Sequence, residues 1–178
     1  MNTQPNINIG SWLAQLNGKT VDKIYQVDYT IDRYEDCYAP FLFYFTFFDL
    51  DIFLEIEGDF DGDHIRIKFY GIQDLSEKLK ENDHPEEHET WKVYNTEPNE
   101  MLGKLIGRKV EFVEYGIDKD EYVINGQVCK GEKNVFNFIR FNTGNLSLTI
   151  FEATGLGVSD EPNMEFYFEG VYDRYDTR

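Results

Sequence analysis

The stretch SWLAQLNGKTV (residues 11–21) returns 89 positions later as EMLGKLIGRKV (residues 100–110). Both copies carry a leucine pair three positions apart, then a glycine, then a valine. The spacing of the apolar residues predicts one face of a short helix. Gly18 and Gly107 stand where a helix end is favoured. Each copy therefore predicts a helix that stops at its glycine and continues as a strand.

Two further blocks repeat in the same order along the chain. Residues 47–56 match residues 141–150 at an offset of 94. Residues 65–74 match residues 164–173 at an offset of 99, with alternating apolar residues before a shared glycine and aspartate. Ordered matches whose offset only grows are typical of an ancestral duplication with loop insertions.

Strand patterns fill the space after each helix. Residues 21–31 alternate between large and polar side chains, which predicts a half-exposed strand with an acidic outer face. Residues 41–48, FLFYFTFF, are mainly apolar at both odd and even positions, which face opposite sides of a strand. This predicts a central strand covered on both sides. Asn125-Gly126 and residues 142–145 mark two hairpin turns. We predict an α+β fold of two tandem αββββ-like repeats, with predominantly antiparallel sheets that share one core.

The predicted domain organisation follows the repeats. Residues 1–74 form an N-terminal αβ repeat, residues 75–98 an acidic linker with a short helix, and residues 99–178 a C-terminal αβ repeat. Asp74 to Glu77 fit a capping box at the start of the linker helix. Residues 81–89 are polar and charged, which is typical of an exposed segment.

Charge restricts the choice of partner. The 178 residues contain 17 basic and 34 acidic side chains, for a net charge of −17. This excess opposes binding to nucleic acid and to anionic membranes, because phosphate recognition needs clustered lysine and arginine. It favours the approach of a basic protein surface.

Two other features suggest a cytoplasmic protein. Residues 1–6 lack the basic and apolar regions of a signal peptide, and no apolar run is long enough to span a bilayer. Cys37 and Cys129, the two cysteines, do not form a disulfide framework, and we expect free thiols.

Candidate metal motifs are weak. His84-Pro85-Glu86-Glu87-His88 matches the H-x-x-E-H pattern of a zinc protease, but Pro85 favours a turn or a helix start that would misplace the first ligand. Residues 59–63, DFDGD, resemble a calcium loop, yet Gly62 precedes Asp63 and position twelve is Tyr70 rather than glutamate. We expect no cofactor, no catalytic metal and no enzymatic activity.

One segment combines the side chains that protein recognition uses. Tyrosine supplies large contact area and carboxylates pair with lysine or arginine across an interface. We predict a partner-binding site formed by Asp28, Asp32, Tyr34, Glu35, Asp36 and Tyr38. The second repeat carries a sparser counterpart at Asp118, Asp120, Glu121 and Tyr122.

Three functional classes remain open. The first is a non-enzymatic protein-binding module, such as an immunity protein that neutralises a basic toxin. The second is a small-ligand-binding β-rich protein that uses the aromatic interior near residues 41–48. The third is a metal-dependent hydrolase built on the cluster from His84 to His88.

Overall fold

The computed structural model describes residues 9–31, 39–58, 64–85, 89–131, 136–152, 155–162 and 170–178. Their α-helices are α1 (Ile9–Ala14) and α2 (Leu75–Glu81), and 3-10 helices span Ile72–Asp74 and Leu102–Leu105. In chain order the strands are β1 (Val21–Ile31), β2 (Ala39–Phe47), β3 (Ile52–Gly58), β4 (Ile65–Gly71), β5 (His84–Pro85), β6 (Glu89–Asn95), β7 (Phe112–Asp118), β8 (Glu121–Ile124), β9 (Gln127–Lys130), β10 (Phe136–Thr143), β11 (Leu146–Glu152), β12 (Leu156–Ser159) and β13 (Tyr172–Asp176). Every strand pairing among these residues is antiparallel and their helices are few, in agreement with the predicted sheet-rich α+β class.

The first sheet is a meander in the order β4-β3-β2-β1, extended past β1 by β6 and β5. Strand β2 lies between β1 and β3, and its side chains from Leu42 to Phe47 are buried. This confirms the central strand predicted from residues 41–48, since only a strand covered on both faces buries both parities.

The second sheet repeats the meander in the order β12-β11-β10-β7, with β13 added beside β7. Strand β10 also pairs with β4 through Phe136 and Ile65, so the two meanders join into one sheet. Strands β8 and β9 form a separate hairpin around Asn125 and Gly126, which both have positive φ, as predicted.

The inner faces of the two meanders pack on each other in one main core. Phe45 of the first stacks on Phe141 of the second, with ring centroids 5.1 Å apart. Helix α1 adds Leu13 to this core, and the 3-10 helix adds Leu102 and Leu105. A smaller cluster on the outer face of the first sheet packs under α2; its buried members are Val27, Leu42, Tyr44 and Phe53.

Four backbone hydrogen bonds join the segments that open the two halves. Gly18 N–H donates to Val110 O at 2.7 Å, and Gly107 N–H donates to Val21 O at 2.8 Å. Val21 N–H donates to Arg108 O at 3.0 Å, and Val110 N–H donates to Lys19 O at 2.8 Å. In the match at an offset of 89, Gly18 corresponds to Gly107 and Val21 to Val110. Each bond from one half therefore has an equivalent bond from the other half.

Some local predictions were wrong. The second copy opens with a 3-10 helix, Leu102–Leu105, where an α-helix was expected. Helix α2 forms as predicted, but Asp74 makes no side-chain capping bond, so the capping box is absent. Residues 84–85, in the segment expected to be exposed, form β5, which pairs with β6 (residues 89–95), and together they extend the first sheet. The apolar side chains of Trp91 and Val93 explain this, because they pack into the outer cluster.

Strand pairing also revises the sequence alignment of the halves. Phe141 lies opposite Leu148 as Phe45 lies opposite Leu54, so Phe45, not Phe47, occupies the corresponding position. Strand β12 holds the place in the second meander that β4 holds in the first, because β12 pairs with β11 as β4 pairs with β3. The match at an offset of 99 aligns β4 with residues 164–173 instead, so the strand pairing does not support it. Its glycines differ, since Gly71 has φ −65° and Gly170 has φ +94°. Its residues 164–168 lie outside the described residues.

Candidate functional site

One end of the molecule collects the connections that the sequence singles out. Because neighbouring strands are antiparallel, the last residues of β1, β3, β7 and β11 lie at the same end as the first residues of β2, β4, β10 and β12. The pairing of Ile65 in β4 with Phe136 in β10 places this end of both meanders on the same side. We call it the loop end.

A buried polar contact ties the two halves together there. His64, just before β4, places Nε2 3.1 Å from Oδ2 of Asp118, the last residue of β7. Asn137 Nδ2 donates to the other carboxylate oxygen at 2.8 Å. The Asp118 side chain is 2% exposed, so these bonds hold it in place where water is largely excluded. The sequence gives no signal for this contact, since the partners are far apart in the chain.

Asp28 is the one predicted partner-binding residue that the structure describes. It lies in β1 between Pro40 of β2 and Lys92 of β6, and it is only partly exposed. Burial raises the pKa of its carboxyl above the ordinary value, opposed by a hydrogen bond that Gln26 Nε2 donates at 2.7 Å and aided by the charge of Glu100. The predicted acidic outer face is therefore partly desolvated at Asp28.

The other five predicted residues, Asp32, Tyr34, Glu35, Asp36 and Tyr38, lie outside the described residues. The chain leaves β1 and enters β2 at the loop end, and residues 32–38 connect the two. It also leaves and re-enters the first sheet at this end on either side of residues 59–63 and of residues 86–88. By sequence these three connections contain eight carboxylates against one arginine.

Aromatic side chains line the first sheet beside these connections. Tyr29 packs on Trp91 with ring centroids 4.7 Å apart, and Phe41 meets Trp91 edge-on at 5.3 Å. All three rings are partly exposed. They provide an apolar surface on the first sheet, and aromatic side chains of this kind are enriched in protein interfaces. The place of Trp91 beside Tyr29 follows from the β1–β6 pairing.

A second polar cluster lies under α2 on the outer face of the first sheet. Tyr70 donates to Glu55 Oε1 at 3.3 Å, Asn82 Nδ2 donates to the Tyr44 hydroxyl at 2.9 Å, and Lys68 Nζ lies 3.1 Å from Glu55. Burial and the Glu55 carboxylate raise the pKa of the Tyr44 and Tyr70 hydroxyls. This arrangement keeps both phenols neutral and fastens α2 to the sheet.

An open groove of about 520 Å³ runs between α2 and β6. Leu75 and Leu79 of α2 form one wall, Val93 and Asn95 of β6 the other, and Tyr25 of β1 lies in the groove. It differs from the ligand site first expected, in the interior near residues 41–48. There Tyr44 and Phe45 already pack against Phe53 and Phe141, so the rings contact protein.

The H-x-x-E-H motif does not begin on a helix. His84 and Pro85 form β5, with His84 opposite Trp91, whereas residues 86–88 lie outside the described residues. A zinc site of this class needs both histidines on one helical face. In the described part of the chain, no three His, Cys, Asp or Glu side chains are grouped as a metal site requires. Cys129 is a free thiol, and Cys37 is outside that part.

In the described residues, none of the helices has the length and apolar character needed to cross a membrane. Comparisons with protein-family models, with curated proteins and with solved structures found no match to this chain.

Proposed function

We propose that this protein is a non-enzymatic, acidic protein-binding module that binds a basic protein at its loop end. An immunity or inhibitor protein that neutralises a basic toxin fits this description. The proposed contact residues are Asp28, Asp32, Tyr34, Glu35, Asp36 and Tyr38.

The observation that supports the proposal is that the chain leaves and re-enters the first sheet at one end on either side of three segments that are acidic by sequence, residues 32–38, 59–63 and 86–88. A net charge of −17 spread evenly would only keep the protein soluble. Carboxylates concentrated at one end create a field that orients a basic partner as it approaches. Asp28 adds a charge that is already partly desolvated, so a partner cation gains more from it than from a fully hydrated carboxylate.

The test begins with purified protein used as bait, followed by identification and purification of the captured partner. Titration of that partner at low and at high salt then measures the electrostatic part of binding. The expected partner is basic, and its association slows as salt rises, because screening removes the steering.

The double variant Asp32→Lys/Asp36→Lys sharpens this test. If the two carboxylates pair across the interface, it weakens binding by about 2–5 kcal/mol. Urea unfolding of the variant serves as the control for folding. An acidic partner, or an affinity that ignores both salt and the reversal, would contradict the proposal.

The small-ligand alternative is supported by the groove between α2 and β6. Its mixture of leucine, valine and tyrosine with Ser76, Lys80, Asp83 and Asn95 is typical of ligand sites. Under this alternative, Leu79→Gln would abolish ligand binding and Asp32→Lys/Asp36→Lys would leave it unchanged. Under the main proposal, Asp32→Lys/Asp36→Lys would weaken binding of the basic protein partner and Leu79→Gln would leave that binding unchanged.

We also infer that the two meanders, from Gly18 to the end of β4 and from Gly107 to the end of β12, descend from one duplicated unit. The reciprocal bonds of Gly18 and Gly107 and the equal strand order of the two meanders support this inference. A crystal structure should superpose Gly18 on Gly107 and Leu54 on Leu148. If these pairs fall on elements of different order, the halves are unrelated.

A further inference from the structure

The hairpin β8–β9 exposes a pair of valines. Val123 and Val128 lie directly opposite each other and are 65% and 70% exposed. Among the large apolar side chains exposed in the described residues, these two are the most exposed. The two valines can pack on each other across the strands, and their exposed surface is available to a surface outside the chain.

The two faces of the hairpin differ. Tyr122 and Cys129, also directly opposite each other, are only partly exposed and form the more protected face. Val123 and Val128 are on the other face, with Glu121 and Lys130 as the next cross-strand pair. An apolar centre with charged residues at its border has the composition of a small interface core and its rim.

The hairpin is held firmly at its base. Asp118, which precedes it, is fixed by His64 and Asn137. Lys119 N–H donates to Val171 O at 2.9 Å, and Gly131 N–H donates to Asp120 O at 3.2 Å. A two-stranded hairpin alone is marginally stable in water, and these bonds order it before any partner arrives. A rigid hairpin loses little conformational entropy on binding.

The hairpin has the same topological place as the predicted recognition segment. Residues 32–38 connect the first two strands of the first meander, and β8–β9 lie in the connection between β7 and β10, the first two strands of the second. In both cases the chain leaves and re-enters the sheet at the loop end.

We propose that hairpin β8–β9 is the apolar anchor of the partner interface, with Val123 and Val128 inserted into a shallow apolar depression on the partner. The proposal rests on the function proposed above and specifies the partner further. Lysine or arginine side chains flank the depression, because the net charge of −17 favours a basic partner surface. The carboxylates speed association, and the valines slow dissociation.

The experiment compares baits of the full chain that differ at the hairpin. Val123→Thr/Val128→Thr makes the patch polar while keeping β-branched side chains that suit a strand. The matched control is Phe48→Thr, which removes an apolar side chain 52% exposed in the turn after β2, at the opposite end. Amide hydrogen exchange over residues 121–130 checks that the hairpin persists in the variant.

With the captured partner purified, the hairpin variant should raise the Kd about 10- to 100-fold, through faster dissociation, with an unchanged salt dependence. Phe48→Thr should bind like wild type. An unchanged Kd for the hairpin variant would overturn the anchor, and a loss confined to Asp32→Lys/Asp36→Lys would leave the proposed function in place.

The remaining outcomes separate the two proposals. If the hairpin variant loses binding to a partner that is acidic or insensitive to salt, the anchor stands and the basic-partner function is wrong. If wild-type bait retains no protein beyond that retained by the hairpin and charge-reversed baits, both proposals are wrong.

Discussion

Gly18 and Gly107 adopt the same left-handed backbone conformation, with φ of 79° and 76°. Each donates its N–H to the carbonyl of a valine in the other half of the chain. The conformation turns the chain out of the opening helix and aims the N–H group across the junction. Glycine suits both positions because it has no Cβ to oppose positive φ.

Alanine at either position should therefore cost stability by the same mechanism. We expect Gly18→Ala and Gly107→Ala each to lower the free energy of unfolding by about 1–2 kcal/mol, the cost of left-handed backbone for an ordinary residue. A Cβ at Gly107 meets nothing within 4 Å, so the effect there is conformational. Urea unfolding measures it, and Gly107→Asn is the control, with a smaller loss. A neutral Gly107→Ala would show that the turn tolerates another conformation.

The stack of Phe45 on Phe141 predicts energetic coupling between the two meanders. In a double-mutant cycle of Phe45→Leu and Phe141→Leu, we expect a coupling energy of about 0.5–1.5 kcal/mol. Phe53, on the other face of the first sheet, is the control, and Phe53→Leu should be additive with Phe141→Leu within about 0.5 kcal/mol. Zero coupling between Phe45 and Phe141 would mean that the halves do not share one core.

The phenol under α2 predicts a loss of stability in alkali. The folded state holds the Tyr44 proton more tightly than the unfolded chain, because its pKa is raised from an ordinary value of 10.0. Stability from this group is complete below pH 10 and falls as the pH rises above it. Urea unfolding from pH 8 to 11 should show the decline, reduced in Tyr44→Phe and unchanged in Tyr94→Phe, an exposed control. Equal curves for Tyr44→Phe and wild type would exclude Tyr44 as the cause.

Asp28 should show a trade between stability and binding. Its raised pKa means that folding disfavours the carboxylate, so the ionised group destabilises the fold at neutral pH. We expect Asp28→Asn to unfold at a higher urea concentration than wild type at pH 7, with the difference shrinking as the pH falls toward the carboxyl's pKa. The same variant should bind the basic partner more weakly. Asp22→Asn, in the same strand, is the comparison, and equal midpoints for Asp28→Asn and wild type would contradict the desolvation.

Zinc should be substoichiometric in untagged protein after mild dialysis. His84 lies in a strand, and the motif supplies no identified third ligand. Elemental analysis measures the metal content. One equivalent of zinc that is lost in both His84→Ala and His88→Ala would contradict this expectation and revive the hydrolase.

The sequence by itself determined the features that depend on a few neighbouring residues. Apolar side chains at both parities of residues 41–48 required a strand with two covered faces, and β2 is one. Asn125 and Gly126 tolerate the positive φ that a two-residue turn needs, so the hairpin followed from those two residues. These are local preferences of the backbone and of side-chain periodicity.

Only the tertiary structure decided which strands are neighbours and which residues meet at the loop end. His64 and Asp118 are 54 positions apart, and no local pattern joins them. Strand β6 lies beside β1 and half-covers Asp28 because Trp91 and Val93 needed an apolar surface, which residues 81–89 do not offer. Such contacts are set by how a whole chain buries its apolar area and pairs its strands. Local propensity does not encode them.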